Sequence, residues 1–515
     1  MAEGVRLWEP PHRWQPAFRG EPWWVCLLLT GLWMTAMSGC RVGPDLPPPA
    51  PPALPNQFHS GGAAPPDSQK SLADWWASFQ DDRLAGLIRE ADRGNLDMQA
   101  SMWRVVQSRA QLAVVRGDLF PTGSAFGDLE YRKRSRSARP FVSVNGDPFN
   151  LATLGFDAAW EIDLFGKLRR QTAAAAADLR GIEAEAADVR RVVLAEIAER
   201  YVEVRMRQEQ LVLTRRSLRR QQELIDYMRA RRRAGLVMDL DVAEAQALWN
   251  RTASRAPQYR AAMEVALNGL SVLVGEAPGT SMHDRVGTGL LPEPPVVAAV
   301  GVPAELLRRR PDIRRAEAEV AAAAERIGVA TAELYPQFSL LGTVGVAART
   351  GVPLFQFDSL TFAVGPSVRW NILQFGRLTN NIAAQRAAYE QAVTRYRNTV
   401  LQAVMEVEDA LIEWREESRR RRFLEAAVAA ATKAVTLNRL RYEESLVNAQ
   451  RVVDAERDLW RYEVALAESR GNQCRQAIRL YKALGGGWPA EPPGGSLEEV
   501  SPSAVDATKS EPGTP

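Results

Sequence analysis

WEIDLFGK, residues 160–167, ends one kind of pattern and opens another. Before it, Leu154, Phe156, Ala158, Trp160 and Ile162 interleave with Thr153, Gly155, Asp157, Ala159, Glu161 and Asp163, the period of two that marks a strand. After it the chain runs without proline from Gly166 to Gly235, a helix on the order of 100 Å long at about 1.5 Å per residue. The stretch recurs as WNILQFGR, residues 370–377, with Gly376 standing 210 residues after Gly166. That offset also relates Leu236-Val237 to Leu446-Val447, Val242 to Val452, and Val274-Gly275 to Leu484-Gly485. Upstream, Leu119, Pro121 and Gly127 match Leu334, Pro336 and Gly342 at 215. The first copy therefore holds about five extra residues between its strand patterns, where a duplicated unit best tolerates a change of length. One unit is built twice, so the 515 residues form a two-repeat architecture rather than a string of unrelated domains.

The second long helix, from Gly376, carries Val393, Tyr396, Val400, Val404, Val407, Leu411 and Trp414 at steps of three and four, the stripe of a helix packed on helices. A short helix before each strand pair and a return helix after each long helix together match the long helix in length. They can stack end to end beside it. The predicted order is a signal segment at 1–39, a lipid anchor and Pro-rich tether at 40–70, and a first repeat at 71–275. That repeat holds a strand hairpin at about 122–163, a long helix at about 166–234 and a return helix at about 239–274. A crossing at 276–302 leads to the second repeat, 303–485, with a hairpin at about 337–373, a long helix at about 376–444 and a return helix at about 449–484. A Gly- and Pro-rich tail at 486–515 is predicted disordered.

Charged residues are 25% of the chain, the net charge is +3, and the signs are mixed throughout, which leaves no basic stripe for nucleic acid. Cys26, Cys40 and Cys474, with His12, His59 and His283, make neither a disulfide framework nor a metal spacing. No cofactor and no enzymatic activity are expected. Glu161 and Asp163 could be read as a carboxylate pair, but nothing else converges on them.

Arg6, Arg13 and Arg19 precede an apolar run at 23–37, too short for a comfortable membrane span, as in a secretory signal. Met37-Ser38-Gly39-Cys40 resembles a bacterial lipobox, so a covalent lipid is expected on Cys40. The other reading is a cysteine ending an uncleaved anchor, and Glu9 and Glu21 leave a later translation start open. Arg41, rather than Asp, after the cysteine permits sorting to the outer membrane. The prolines at 47–49, 51–52 and 65–66 predict an extended tether.

All four strand patterns have one apolar and one polar face. A half-buried soluble sheet gives the same alternation, but the length, terminal aromatics and polar opposite face fit a membrane barrel with a wet lumen. Four strands cannot close a barrel, and an open edge in lipid leaves unpaired backbone groups at several kcal/mol each. Several chains must share one barrel: two would give eight strands and a filled interior, three would give twelve and an aqueous lumen.

Together with CRVGPDLPPP after the lipobox, the segments GVPAELLRRRPDIRRAEAEV (residues 301–320) and IGVATAELYPQFSLLG (residues 327–342) resemble the outer-membrane factor family, TolC-like proteins, in its lipoprotein branch serving RND-type efflux systems. The resemblance covers nearly the whole mature chain. It implies a mainly α fold with a small β part: a homotrimer whose four strands per chain complete a twelve-stranded outer-membrane barrel, with long coiled helices forming a periplasmic α-barrel and an equatorial belt. It implies a passive exit duct for small molecules that docks to a periplasmic adaptor (a membrane fusion protein) and an inner-membrane RND-type transporter. A type I protein-secretion channel and a non-channel lipoprotein scaffold are the alternatives. The family's gate segment corresponds to residues 442–455, where Tyr442 and Asp454 match polar gate positions, Arg451 replaces an acid, and Ser445 replaces the turn glycine kept at Gly235. A Tyr442/Arg451/Asp454 latch is one expectation; a solvated helix face is the other. Residues 308–310 and Asp312 read as a charge cluster at a helix start. Trp160 and Trp370 are expected as interfacial aromatics at the two strand-to-helix joints, with Gly166 and Gly376 easing the bend.

Overall fold

The computed structural model describes residues 41–55, 58–59, 74–133, 148–279, 282–293, 309–349 and 352–487. They divide into two compact units. One takes the chain up to Asp45 with Val115–Thr172 and Glu325–Gln385; the other takes Leu46–Val114, Ala173–Ala324 and the chain from Arg386.

The first unit holds a four-stranded antiparallel sheet of β1 (Thr122–Arg132), β2 (Phe149–Ile162), β3 (Gln337–Arg349) and β4 (Leu360–Arg369), in that spatial order. Its register sets Ala125 opposite Phe156, Phe156 opposite Val344 and Val344 opposite Phe362. Most of the large apolar residues of the four strands therefore fall on one side, with Phe126, Phe149, Leu151 and Leu341 on the other. The hairpin expected to reach 373 stops at Arg369, which pairs with Gln337. Pro336 precedes Gln337 and has no N–H to offer, so the ladder ends there.

The second unit is helical. α1 (Asp82–Gly94) is capped by Asp81, whose side chain accepts from the backbone N–H groups of Arg83 and Leu84. α2 (Leu96–Gly117) precedes the first strands, α3 (Lys167–Arg233) follows them, and α4 (Asp239–Ala253) and α5 (Arg255–Leu273) return. A short α6 (Met282–Val286) leads to the second copy: α7 (Pro311–Ala332), α8 (Arg377–Glu443) and α9 (Ala449–Ala483). α3 and α8 each have 67 residues, about 100 Å of helix. The return helix expected over 239–274 is two helices meeting at Ser254. Pro257 is the reason: it lacks the N–H that would bond the carbonyl of Ala253 and its ring crowds that carbonyl.

The stripe on α8 is buried as its spacing requires. Val393, Tyr396 and Val400 pack with Ile313 and Val320 of α7, and Val407 and Leu411 pack with Leu480 of α9. Around Tyr201 of α3 a larger core collects Leu84 and Ile88 of α1, Leu267 and Leu270 of α5, and Ile478 of α9. A third core joins Ile225 and Met228 of α3, Leu248 of α4, Tyr442 of α8 and Val452 of α9.

The duplication extends to how each repeat is closed. Asn95 donates from its side-chain amide to the carbonyl of Leu273 at 2.8 Å, and Arg310 donates to the carbonyl of Ala483 at 3.0 Å. These are corresponding residues of the two copies, each satisfying a carbonyl left free at a helix C-terminus. Each of those helices is followed by a left-handed glycine, Gly275 and Gly485.

The tether is not a free leash over its described part. Phe58 is buried against Val407, Ala410 and Leu411, Leu54 packs on the core around Tyr396, and the backbone N–H of His59 donates to Glu408 Oε1 at 2.6 Å. Isolated apolar side chains in a Pro-rich stretch have found a helix groove, and their burial outweighs the extended chain's freedom. The signal segment, Cys40, much of the crossing and the C-terminal tail from 488 on lie outside the described residues.

Candidate functional site

Leu129, Phe156, Phe362 and Val364 stand on the apolar side of the sheet at 67–79% exposure. On the other side lie Asp128, Glu130, Asp157, Glu161, Thr343, Ser367 and Arg369. A soluble sheet with such a face would bury it. Among the described residues, β1 and β4 each pair on one side only, which leaves two open edges.

The two joints share one construction. Trp160 donates from Nε1 to the carbonyl of Leu119 at 3.0 Å, and Trp370 donates to the carbonyl of Leu334 at 3.0 Å. In both copies the indole ties the end of the strand pattern to the chain entering the preceding strand. Gly166 and Gly376 have φ of 79° and 82°, the left-handed conformation that an L side chain resists. Their carbonyls accept the first helical hydrogen bonds, from the N–H groups of Arg170 and Asn380 at 2.9 Å each. The first joint is braced further. Asp163 accepts from the backbone N–H of Arg169 at 2.9 Å, Glu161 pairs with Lys167 at 3.4 Å, and Phe165 stacks on Tyr335 at 4.7 Å. Both carboxylates of the pair weighed above are thus held in structural contacts.

The mature N-terminal stretch is fastened at this same joint, which the sequence did not reveal. The N–H of Val42 donates to the carbonyl of Phe165 at 3.2 Å. Arg41 reaches Glu325 at 2.5 Å, and Arg170, almost fully buried, bridges Glu325 at 3.1 Å and Asp45 at 2.9 Å while donating to the carbonyls of Val42 and Gly43. Gly43 lies so close to Gly328 that a Cβ on it would sit 2.8 Å from the Gly328 Cα. Cys40, the expected lipid site, directly precedes this clamp in sequence but falls outside the described residues.

At the other ends of α3 and α8 the turns are also twins. Leu236 N–H bonds the Arg231 carbonyl and Gly235 N–H that of Arg232; Leu446 N–H bonds the Arg441 carbonyl and Ser445 N–H that of Tyr442. This is a Schellman cap with a left-handed residue, Gly235 at φ 76° and Ser445 at φ 61°. Arg231 links the two turns: it donates to the Tyr442 carbonyl at 2.9 Å and to Ser445 Oγ at 2.7 Å, and lies over the rings of Tyr442 and Tyr227 at 5.2 and 5.8 Å. Burial pushes the Tyr442 phenol up in pKa, with Arg231 opposing it.

The latch expected from Tyr442, Arg451 and Asp454 is not assembled within one chain. Asp454 pairs with Arg457 at 3.0 Å, three residues on along α9, and accepts from Gln450 at 3.3 Å. Among the described residues no ion pair or hydrogen bond joins Arg451 to Asp454 or Tyr442. The i, i+3 spacing puts Asp454 and Arg457 on one helix face, whereas Tyr442 turns toward α3. The contact that does form rests on Arg231. The described part of the charge cluster is a helix-start device: Arg310, almost fully buried, pairs with Asp312 at 2.6 Å and Glu406 at 2.7 Å besides holding the Ala483 carbonyl, while residue 308 lies outside the described residues.

A sheet with a solvent-facing apolar side, a polar reverse and two open edges, passing through glycine joints into 67-residue helices, defines a subunit of an outer-membrane channel. A family model described as "Outer membrane efflux protein" matches residues 87–276 and 302–486, one span per repeat. The chain belongs to that family. It is 28% identical over 484 residues to "Nodulation protein T" of Rhizobium leguminosarum bv. viciae, covering 92% of this chain and 95% of that one. It is 28% identical over 455 residues to "Outer membrane protein OprJ" of Pseudomonas aeruginosa, covering 88% and 94%. Among solved structures, the outer-membrane channel OprN is similar at a TM-score of 0.81 with 31% identity, over 87% of this chain and all of that one. The open state of the Neisseria gonorrhoeae MtrE outer-membrane channel shares the fold at a TM-score of 0.76 with 24% identity, over 88% of this chain and 99% of that one. The fold is that of a TolC-like channel, and the protein is an outer-membrane efflux channel with a large periplasmic portion.

Proposed function

We infer that three copies of the chain close a twelve-stranded barrel in the outer membrane and form the passive exit duct of a tripartite efflux system, fed by an inner-membrane RND-type transporter through a periplasmic adaptor. The observation that carries this is the register-aligned apolar face with both edges open, which in lipid demands further strands from other copies. No substrate chemistry is needed, only a wet path that closes at rest. The closing point is assigned to the paired turns at 234–236 and 444–446, held by Arg231 against Tyr442 and Ser445. Lipid on Cys40 would anchor the chain beside the first joint, to which Arg41 and Val42 are fastened.

The experiment is single-channel recording of the detergent-purified protein in planar bilayers. The duct reading expects trimers that conduct ions; a trimer that conducts nothing in any variant overturns it. Arg231→Ala is expected to raise open probability several-fold while the trimer persists, since an arginine hydrogen bond plus ring contacts contributes about 1–3 kcal/mol. An unchanged open probability removes the Arg231 contact from the gate.

A further inference from the structure

Between two dry cores α3 changes its chemistry. Its residues in the core around Tyr201 end at Met206, and those in the core around Ile225 begin at Leu224. Over the intervening stretch, about 27 Å at 1.5 Å per residue, the buried positions are Gln210, Thr214, Ser217 and Gln221, each at most 1% exposed, with Leu211 the one apolar side chain buried among them. Their spacing of four, three and four is that of residues aimed at a partner helix. The partners answer in kind: Glu456 and Glu463 of α9 and Thr252 of α4 are buried too.

The contacts across this seam are polar and incomplete. Gln221 donates to Thr252 Oγ1 of α4 at 3.2 Å and, within α3, to Ser217 Oγ at 3.0 Å, and Trp460 Nε1 of α9 reaches Thr214 Oγ1 at 3.5 Å. Arg220 bridges Glu456 at 3.2 Å and Glu463 at 3.1 Å, while Arg439 of α8 holds Glu456 at 2.6 Å. Gln221 Oε1, Arg439 Nε and Arg470 Nε are buried without a hydrogen-bond partner among the described residues. Groups of that kind recruit water. The second copy keeps a charged residue, Arg420, at the position of Gln210 but carries Leu424, Ala427 and Ala431 where the first has Thr214, Ser217 and Gln221.

We propose that this seam is a hydrated flexure, at which α3 bends and slips against α9 so that the turn-end core around Ile225 moves as a body relative to the core around Tyr201. Interdigitated apolar cores resist small displacements because they are close-packed. Polar pairs exchange partners with water at little net change in free energy, and buried ion pairs fix register more than they add stability. Three of the four stripe positions on α3 are apolar at the matching positions of α8, so the yielding element belongs to one repeat. The inference rests on the channel reading in that turn separation is what the flexure serves, but its test does not depend on conduction.

That test is hydrogen–deuterium exchange on the full-length detergent-purified protein. Amides of residues 208–222 are expected to exchange about ten-fold or more faster than those of 194–206 and 224–230, the spread that sub-global opening produces within one helix. Exchange as slow as in the flanking cores overturns the flexure, whether or not the protein conducts. A combined Gln210→Leu, Thr214→Val, Ser217→Ala and Gln221→Leu variant is expected to bring the seam to the flanking rate. If it folds as a trimer and its seam still exchanges fast, polarity is not the cause and the proposal falls; if it does not fold, the wild-type comparison decides alone.

Discussion

Asp312 shows at one residue how burial and pairing contend. Burial alone would raise its pKa, but the hydrogen bond and charge of Arg310 outweigh that and hold the carboxyl below its ordinary value. A carboxyl with a depressed folded pKa contributes stability that is fully present above the unfolded value and lost as pH falls through the folded one. The thermal midpoint of the detergent-solubilised protein is therefore expected to hold steady from neutral pH down to about pH 5 and to fall below about pH 4, the ordinary range of an aspartate. Arg310→Met should remove about 3 kcal/mol at pH 7, the low end for breaking a buried pair, because Asp312 retains some solvent contact. It should also flatten the acid limb that Asp312 contributes. An acid limb of the same size in Arg310→Met would assign the limb to other carboxylates.

Among elements, what the sequence disclosed is what burial forces to repeat. The alternation at Leu154 to Ile162 and the stripe from Val393 to Leu411 were legible because a lipid-facing or helix-facing position recurs every second or every third and fourth residue. The twin joints were legible because a duplicated chain must solve the same bend twice, with Trp160 and Gly166 and again with Trp370 and Gly376. The break at Ser254 was signalled by Pro257 but masked by an apolar pattern running through it. The docked tether was not legible: Leu54 and Phe58 are isolated side chains among prolines, and their partners on α8 are hundreds of residues away. The resemblance to the family's gate segment put forward Tyr442, Arg451 and Asp454 as candidates, yet only the helix faces decide that Tyr442 meets Arg231 and Asp454 meets Arg457. The docked strap has a direct check. Phe58→Ser removes an apolar anchor worth roughly 2 kcal/mol of burial, so limited proteolysis should cut within 46–59 in that variant and spare the wild type, while the helices melt as before. Equal resistance would mean that the prolines, not Phe58, hold the strap.

At the scale of the whole molecule, one register decides where the protein can live. A slip of one residue in any strand pairing would mix apolar and polar side chains on both faces, and the observed pairing instead lines up Phe156, Val344 and Phe362 on one side and Asp157, Thr343 and Ala363 on the other. Thr361 and Phe362 are thus neighbours in sequence with opposite surroundings in the assembled barrel. Phe362→Arg puts a charge on the lipid side, which costs about 2–4 kcal/mol near the bilayer midplane, and is expected to lower the yield of outer-membrane trimer sharply. Thr361→Arg faces the lumen, should leave trimer yield near wild type, and should shift ion selectivity toward anions in bilayer recordings by adding positive charge to the path. Heat-stable trimer on a gel and reversal potential in a salt gradient read the two effects separately. If the two substitutions exchanged outcomes, the faces would be assigned backwards; if both left assembly untouched, the apolar side would not be in lipid at all, and the open edges of β1 and β4 would need another explanation.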